Sequence, residues 1–357
     1  MTSNSGDFQK AFVTGGTGLL GNNLVRELLA DGKEVKLLAR SREKAEKQFA
    51  GLDVEIVIGN MEAIDAFESE LADCDALFHT AAHFRESYKG GEHLKQLLDI
   101  NVNSTVKLFE AAYRQGLRRL VHTSSVAVLD GERGQLIDET MLRNEAKADP
   151  YYLSKILSER AVLQFAANHQ DCHIPIILPG WMWGPGDIGP TSAGQVALDF
   201  EAGKLPGIPP SSFSIVDARD VARAMITAAQ KGRSGERYLA AGRHISMAEL
   251  MPLLEASTGV KAPTRQLPIQ LLYLLAALYE VYGKLTGNPI LLSLASVKLI
   301  ANEKDKSHYN HAKSERELGI KFRPKQETVA DTINWYREQG WLKNSKPQSR
   351  TRVISRS

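Results

Sequence analysis

Tyr151 and Lys155 form a Tyr-x-x-x-Lys pattern at the start of a predicted helix. This spacing places both side chains on one face of an α-helix. An ammonium group beside a phenol favours the ionised phenol and lowers its pKa from the usual value of about 10. Tyr151 could then exchange a proton with a substrate oxygen near neutral pH, which is general acid–base chemistry. Tyr152 has no such partner, because the residue four positions on is Ile156.

Hydroxyl side chains close the fifth predicted strand, in the run His122-Thr123-Ser124-Ser125. The carboxyl ends of strands in an open parallel sheet face the ligand crevice. A serine hydroxyl at this end can donate a hydrogen bond to a substrate carbonyl oxygen and stabilise developing charge. Tyr151, Lys155 and one of the two serines are therefore predicted to act on a carbonyl or alcohol group.

A glycine-rich loop, Thr14-Gly15-Gly16-Thr17-Gly18-Leu19-Leu20-Gly21, joins the first predicted strand to the first predicted helix. It fits the pattern Gly-x-Gly-x-x-Gly through Gly16, Gly18 and Gly21. Such glycines permit a tight turn, close approach of a pyrophosphate and close packing of the helix on the strand. The helix N-terminus adds N–H donors and partial positive charge. The loop at this strand-to-helix junction predicts a dinucleotide phosphate site.

The end of the second predicted strand indicates which dinucleotide is preferred. NAD enzymes usually carry an acidic residue there to bond the ribose hydroxyls, whereas this chain has Ala39 followed by Arg40. A guanidinium binds a phosphate through paired hydrogen bonds. We predict NADP(H), with Arg40 as the main contact to the 2′-phosphate and Arg42 or Lys44 assisting. The alternative is that these are solvated charges in a loop.

Strands and helices alternate through the first half of the chain at intervals of roughly 20 to 30 residues, as they do in βαβ units. Apolar runs at 9–14, 34–39, 54–58, 76–80, 119–123 and 173–178 predict buried strands. Helices are predicted at 18–31, 42–49, 63–71, 93–113 and 152–169. The predicted fold class is α/β, a Rossmann-type doubly wound parallel sheet with a smaller, mainly helical C-terminal substrate domain.

The sequence changes character after Leu178, because residues 179–190 hold four glycines and three prolines. Beyond them helices are predicted at 217–231, 247–258, 269–285 and 328–339. We predict a dinucleotide-binding domain over residues 1–180, to which some later segments return, and a substrate-binding region over 181–342. Residues 343–357, with five basic and no acidic residues, are predicted to form a disordered tail.

The composition narrows the class of protein. Of 357 residues, 43% are hydrophobic and 24% are charged, which is typical of a globular protein. With 44 basic and 42 acidic residues the net charge is +2, which argues against a nucleic-acid partner. Cys74 and Cys172 cannot build a disulfide framework or a metal knuckle, and no metal site is predicted. The N-terminus lacks the features of a signal peptide, so a cytoplasmic location is expected.

The segment from Leu267 to Leu292 is unusually apolar. One interpretation is a pair of helices packed in the core of the substrate-binding region. The other is a hydrophobic lid, or a helix at a membrane surface, that serves a lipophilic substrate. The basic tail offers a second route to peripheral membrane contact, through anionic lipid.

Four motifs together resemble the extended short-chain dehydrogenase/reductase family, within the NAD-dependent epimerase/dehydratase superfamily. They are TGGTGLLG at 14–21, HTSSVAV at 122–128, PYYLSK at 150–155 and LPGWMWGPGD at 178–187. GPGDIGPTSAG and the later SIVDARDVARAM are similar to the dihydroflavonol-4-reductase-like branch. The resemblance implies a Rossmann fold, a Ser–Tyr–Lys triad and hydride transfer at a nicotinamide.

The resemblance also implies roles for single residues. The triad serine corresponds to Ser125, with Ser124 as the neighbouring alternative and a candidate cofactor contact. Tyr151 becomes the general acid, and Lys155 binds the nicotinamide ribose as well as tuning the tyrosine. Asn101, in INVNST, matches a helix asparagine that supports the active-site backbone and a water.

Further cofactor contacts carry over by motif. Thr80, Ala81 and Ala82 match the loop under the adenosine ribose, and Pro179 and Gly180 match the segment beside the nicotinamide carboxamide. Asn60 stands where the family often has an aspartate for the adenine amine, and its side-chain oxygen can still accept a hydrogen bond. Its neighbour Met61 is a further candidate contact.

The substrate pocket is predicted from position alone. His83 and Phe84 follow the fourth strand, and Trp181, Met182 and Trp183 lie near the cofactor, although the last three could instead pack between the domains. The predicted function is NADPH-dependent reduction of an aldehyde or ketone with an apolar body. The alternatives are a hydroxysteroid or sugar-type dehydrogenase/epimerase and, from another class, a non-catalytic NADP sensor. A homodimer is expected from the resemblance alone.

Overall fold

A seven-stranded parallel sheet is the largest element of the computed structural model, which describes residues 7–82, 93–286 and 293–342. The described strands are β1 (Lys10–Thr14), β2 (Glu34–Ala39), β3 (Glu55–Ile58), β4 (Ala76–His79), β5 (Leu120–Thr123), β6 (Leu136–Ile137), β7 (Ile176–Pro179), β8 (Trp181–Trp183), β9 (Ser212–Asp217), β10 (Arg237–Ala240), β11 (Arg243–Ser246) and β12 (His308–Tyr309). The sheet order is β10-β7-β5-β4-β1-β2-β3, and every neighbouring pair is parallel.

Helices cover both faces of this sheet. The described α-helices are α1 (Leu19–Ala30), α2 (Arg42–Gln48), α3 (His93–Leu98), α4 (Ser104–Arg114), α5 (Pro150–Asn168), α6 (Ser192–Glu201), α7 (Ala218–Lys231), α8 (Met247–Thr258), α9 (Ile269–Thr286), α10 (Leu294–Glu303), α11 (Ala312–Leu318) and α12 (Lys325–Glu338). Apolar residues of α1 and α7 form a core on one face, and those of α4 and α5 form a core on the other. The predicted Rossmann-type α/β class is confirmed.

The strand order reverses at β1. The chain runs outward from β1 to β2 and β3, and then returns to place β4 on the other side of β1. Ligands of open α/β sheets bind in the crevice beyond the carboxyl ends of the strands at such a reversal. The loops after β1 and β4 therefore border the expected crevice, together with the loop after β5.

Several predicted helices differ from the observed ones. Residues 63–71 form two short 3₁₀ turns, Ile64–Ala66 and Glu68–Leu71, and not one helix. A π-helical turn, Asp99–Asn103, separates α3 from α4, which had been predicted as one helix. The helix α5 begins at Pro150, because the Asp149 carboxylate caps it by accepting hydrogen bonds from the backbone of the next turn.

The part of the chain after residue 180 holds more strands than predicted. β8, β9 and β11 form a small sheet of their own, and β12 pairs with β6. Two later elements belong to the large sheet: β10 pairs with β7, and α7 packs against α1. The large sheet and the helices on its faces therefore take elements from both sides of residue 180.

The apolar helix α9 is only partly buried. Leu272 and Ala276 pack into a small cluster with Leu267 and Val297, whereas Leu274 is 57% exposed and Leu278 is 59% exposed. Among the described residues no helix is long and apolar enough to cross a membrane. The membrane-surface interpretation stays a prediction, and residues 287–292 and the basic tail lie outside the described residues.

Candidate active site

The glycine loop turns directly from β1 into α1. Gly15 has a φ of +70°, which favours glycine. A Cβ atom at Gly15 would lie 2.6 Å from the backbone nitrogen of Ala81, so the loops after β1 and β4 approach too closely for a side chain. Gly18 donates its N–H to the Gly15 carbonyl at 3.0 Å. No side chain of the described residues caps α1, so its N-terminal N–H groups can face an anion.

The basic residues after β2 are not equivalent. Arg40 is exposed directly after the strand. Arg42 donates to the Ile56 carbonyl at 3.3 Å and lies 3.8 Å from the Glu46 carboxylate, so part of its donor capacity is used. Lys44 is exposed in the first turn of α2. Gln48 on the same helix donates to the Thr17 carbonyl at 3.3 Å, which ties α2 to the glycine loop.

The predicted adenosine contacts are placed around the ends of β3 and β4. The Asn60 side-chain oxygen already accepts a hydrogen bond from the Glu62 N–H at 2.8 Å. This hydrogen bond competes with the one predicted from the adenine amine. Met61 packs, half-buried, against the core beneath α4. Thr80 donates its hydroxyl to the Thr14 carbonyl at 2.7 Å, which joins the two loops of the crevice.

Ser125, Tyr151 and Lys155 line one cavity of about 510 Å³, together with Gly15, Gly18 and Gly21 of the glycine loop. The Lys155 ammonium donates to the Thr123 carbonyl at 3.4 Å. Burial lowers the pKa of Lys155 to about 8, and the negative charge of Glu159 partly opposes this shift. Lys155 is therefore charged at pH 7, and it lies on the same face of α5 as Tyr151.

The two candidate serines have different surroundings. Ser124 is buried and donates to the Glu159 carboxylate at 2.6 Å. The other oxygen of Glu159 accepts a hydrogen bond from Arg237 at 2.6 Å. Ser125 is half-buried, and its oxygen accepts the N–H of Ala127 at 3.1 Å. The hydroxyl hydrogen of Ser125 has no acceptor among the described residues, so it can be donated to a substrate oxygen.

Asn101 lies in the π-helical turn and contacts the first turn of α5. Its side-chain nitrogen donates to the Ser154 hydroxyl at 3.1 Å, and Ser154 donates to the Tyr151 carbonyl at 2.8 Å. The backbone carbonyl of Asn101 accepts a hydrogen bond from the Thr105 hydroxyl at 2.8 Å. Asn101 therefore supports the backbone that carries Tyr151. The spacing of apolar residues in the sequence does not reveal this π-helical turn.

Buried His79 extends this chain of hydrogen bonds to the glycine-loop strand. Its Nε2 lies 3.0 Å from the Thr105 oxygen and its Nδ1 lies 2.8 Å from the Thr14 oxygen. Because Thr105 already donates its hydrogen to Asn101, Nε2 of His79 must carry the proton and donate. Burial lowers the pKa of His79 to about 3, so the ring is neutral.

The aromatic residues after β7 divide between the cavity and the core. Trp181 and Met182 line the cavity, as do Pro179 and Gly180. Trp183 is fully buried in the C-terminal core, so the structure gives it the packing role and not a place on the cavity wall. The predicted pocket residues His83 and Phe84 lie outside the described residues.

Much of the cavity wall was missed by sequence reasoning. It comes from the loop before α5, from the first turn of α5, from β9, and from α10 and the segment after it. The missed residues include Arg143, Tyr152, Phe213, Leu299, Ile300, Glu303, Lys306 and Tyr309, and also the small polar residues Thr191, Ser192, Ser211, Ser212, Ser214 and Ser307. Tyr152 lies within the motif at 150–155 but was given no role, and most of the others are brought in by contacts between distant parts of the chain.

Known proteins match both the sequence and the fold. The model of the NAD dependent epimerase/dehydratase family matches residues 11–241. A Synechocystis sp. protein provisionally named dihydroflavonol 4-reductase is 32% identical over 338 residues, which cover 93% of this chain and 96% of that protein. Sterol demethylase protein B of Methylococcus capsulatus is 32% identical over 333 residues, which cover 92% of this chain and 99% of that protein.

A solved structure shares the whole fold. The crystal structure of gox2253 is 29% identical, covers 94% of this chain and 100% of its own, and superposes with a TM-score of 0.80. The resemblance read from the four motifs is confirmed. The chain therefore belongs to the NAD-dependent epimerase/dehydratase family, and it is an NAD(P)-dependent oxidoreductase of that family.

Proposed function

We propose that this protein is an NADPH-dependent reductase of aldehydes or ketones with an apolar body. The observation that carries the proposal is that Ser125, Tyr151 and Lys155 share one cavity with the glycine loop. The close approach of Gly15 to Ala81 and the uncapped N-terminus of α1 fit a bound dinucleotide. Bound NADPH supplies the hydride, and the side chains of the chain control the proton and the charge.

Each triad residue has a distinct task in this reaction. Ser125 donates its hydroxyl hydrogen to the carbonyl oxygen of the substrate and orients it. Tyr151 gives that oxygen its proton as negative charge develops. The buried ammonium of Lys155 favours loss of the tyrosine proton, because a positive charge nearby stabilises the phenolate. Loss of the Tyr151 hydroxyl is expected to slow turnover by about 10²- to 10⁴-fold.

Arg40 supports the assignment of NADPH over NADH. The strand β2 ends at Ala39 without an acidic side chain, and the exposed guanidinium of Arg40 follows it. A carboxylate at this place would repel a 2′-phosphate, whereas a guanidinium attracts one. Arg42 is partly engaged with Ile56 and Glu46, so Arg40 is the main candidate.

The cavity wall supports an apolar substrate. Trp181, Met182, Phe213, Leu299 and Ile300 contribute apolar surface. Two relatives that are 32% identical are named for a dihydroflavonol and for a sterol, and both compounds have extended hydrocarbon frames.

The charged residues of the wall argue against a nucleotide sugar. Arg143 is paired with Glu303 through two contacts of 3.0 Å, and Lys306 is paired with Asp130 at 3.1 Å. A diphosphate would have to break these pairs to gain a positive partner. The sugar-type epimerase is therefore the weaker alternative, while a hydroxysteroid dehydrogenase would use the same triad on an apolar substrate.

The test is NADPH oxidation across a panel of aldehydes, diketones, flavanonols and ketosteroids. The variant Tyr151→Phe is assayed beside Tyr273→Phe, which removes a phenol hydroxyl on α9 away from the cavity. Turnover that is lost in the first variant and kept in the second would support the proposal. Binding of NADPH without turnover of any compound, or epimerisation of a nucleotide sugar, would contradict it.

A further inference from the structure

The substrate cavity holds a second group of polar side chains that the proposed reaction does not use. Tyr152, Tyr309, Arg143 and Glu303 all line the cavity. They come from α5, from β12, from the loop before α5 and from the end of α10. Small hydroxyl residues also line the cavity, but these four are the large polar side chains that meet at one side of it. Such a cluster fixes the orientation of a ligand when its groups have hydrogen-bonding capacity left.

Arg143 and Glu303 form a closed ion pair. The two terminal nitrogens of Arg143 each lie 3.0 Å from a Glu303 oxygen, and its Nε donates to the Ala127 carbonyl at 2.9 Å. The side chain of Arg143 is only 9% exposed. A guanidinium held in this way offers little to a substrate anion. The pair therefore shapes the wall, and because it carries no net charge it offers little attraction to a charged substrate group.

The two phenols do have capacity left. Neither the Tyr152 hydroxyl nor the Tyr309 hydroxyl has a hydrogen-bond partner in the part of the chain that the structure describes. The Arg143 guanidinium lies 4.6 Å from the centre of the Tyr152 ring. Burial raises the pKa of both phenols, and the Glu303 carboxylate raises it further. Both hydroxyls are therefore neutral donors that lie close to Glu303.

The phenols are close to the triad. The ring centres of Tyr151 and Tyr152 are 6.1 Å apart. Ala127 connects the two groups, because its N–H is donated to Ser125 and its carbonyl accepts from Arg143. A molecule whose carbonyl oxygen meets Ser125 and Tyr151 would therefore place atoms several bonds away against Tyr152 and Tyr309.

We propose that Tyr152 and Tyr309 form a subsite that binds a neutral hydroxyl or carbonyl group of the substrate, remote from the carbon that is reduced. The inference rests on the proposed reductase function and specifies its substrate class. Both residues are half-buried and line the cavity, so a substrate group that enters the cavity can accept a hydrogen from either hydroxyl. A site built this way rejects an analogue that lacks the group.

The test uses matched ketones that differ by one hydroxyl. The probes are 1-tetralone with its 5-, 6- and 7-hydroxy derivatives, and flavanone with 4′-hydroxyflavanone. The proteins are the wild type, Tyr152→Phe, Tyr309→Phe, the double variant and the control Tyr273→Phe. In the wild type, kcat/KM for at least one hydroxylated probe should exceed that of its parent about tenfold, the value of one good hydrogen bond. The ratio should fall to about one in the double variant and stay unchanged in the control.

A binding measurement separates this inference from the proposed function. The same probes are titrated into each protein with NADP⁺ present, and the tryptophan fluorescence reports binding because Trp181 lines the cavity. A hydroxyl preference that is the same in the wild type and the double variant would overturn the subsite, whether or not turnover is seen. Absence of turnover with a preference that depends on the two phenols would contradict the reductase and keep the subsite.

Discussion

Ser124 donates its hydroxyl hydrogen to Glu159 across 2.6 Å, and both side chains are buried. Glu159 in turn accepts from Arg237 at 2.6 Å, so this contact ties β5 to α5 and β10. The neighbouring serine, Ser125, faces the cavity with its hydrogen available. Both serines border the cavity. Sequence alone could not separate them, but the Ser124 hydroxyl is engaged with Glu159, whereas the Ser125 hydrogen is available to a substrate.

We expect the variants Ser125→Ala and Ser124→Ala to differ in kind. Loss of the Ser125 hydroxyl removes a hydrogen bond to the developing charge and should lower kcat by about 10²- to 10³-fold. Loss of the Ser124 hydroxyl leaves a buried carboxylate short of a donor and should lower the free energy of unfolding by about 1–3 kcal/mol. Steady-state kinetics and urea denaturation measure the two effects. A large loss of kcat in a stable Ser124→Ala protein would reverse the assignment.

The cofactor preference should depend on Arg40 more than on Arg42. A hydrogen bond to a charged group contributes about 1.5–3 kcal/mol, so Arg40→Ala should weaken NADPH binding by roughly 10- to 100-fold. NADH, which lacks the 2′-phosphate, should bind both proteins equally. Arg42→Ala is the matched control, because that guanidinium already contacts Ile56 and Glu46. Fluorescence titration with both nucleotides measures these affinities. An unchanged NADPH affinity in Arg40→Ala would contradict the proposed preference for NADPH over NADH.

The pH dependence of kcat/KM should report Lys155. Its pKa is lowered to about 8 by burial, so the ammonium that assists Tyr151 is lost as the pH rises through this value. Activity should therefore fall above about pH 8. Glu159→Gln removes a charge that holds this pKa up and should move the falling limb to lower pH. Lys155→Arg keeps the positive charge at all these pH values. This variant should be less active than the wild type, but its kcat/KM should not fall above pH 8. If the pH at which activity falls is the same in the wild type and both variants, the fall is due to a group other than Lys155.

The parts of the site that sequence predicted are those built from local pattern. The glycine loop needs one turn between a strand and a helix, and Tyr151 and Lys155 need one helix face. Both are short-range requirements, so residue type and spacing were sufficient. The strands β1 to β5 and β7 were also found, because buried parallel strands are continuous apolar runs. The two-residue strand β6 was not predicted.

The parts that sequence missed depend on contacts between distant segments. The π-helical turn at Asn101 leaves no mark in the apolar spacing around it. The helix α7 and the return of some later segments to the first domain were predicted, but the strand β10, which pairs with β7, was not. Arg143 meets Glu303 across 160 residues. Trp183 was indistinguishable from Trp181 by type, and residues two apart in a strand lie on the same face, so only packing against distant segments buries one of them and leaves the other at the cavity.

His122 should control part of the acid sensitivity of the fold. It is fully buried, its ring stacks on the ring of His79, and neither of its ring nitrogens has a hydrogen-bond partner among the described residues. Burial holds the pKa of His122 well below its usual value. Below about pH 6.5 the unfolded chain therefore binds a proton that the folded chain does not. Each such histidine lowers the free energy of unfolding by about 1.4 kcal/mol per pH unit, and His79 contributes in the same direction until the pH reaches about 3.

The variant His122→Phe removes one of these protons and keeps a ring of similar shape beside Phe109. Between pH 7 and pH 5 the wild type should therefore lose about 2 kcal/mol more stability than the variant. Urea denaturation at the two pH values measures this difference, and His169→Gln, at the end of α5, is the control in another histidine. Because His122 makes no hydrogen bond to a described residue, the variant should lose little stability at pH 7. Equal losses in the wild type and the variant would show that His122 binds a proton in the folded protein over this pH range, as it does in the unfolded chain, and would contradict the prediction.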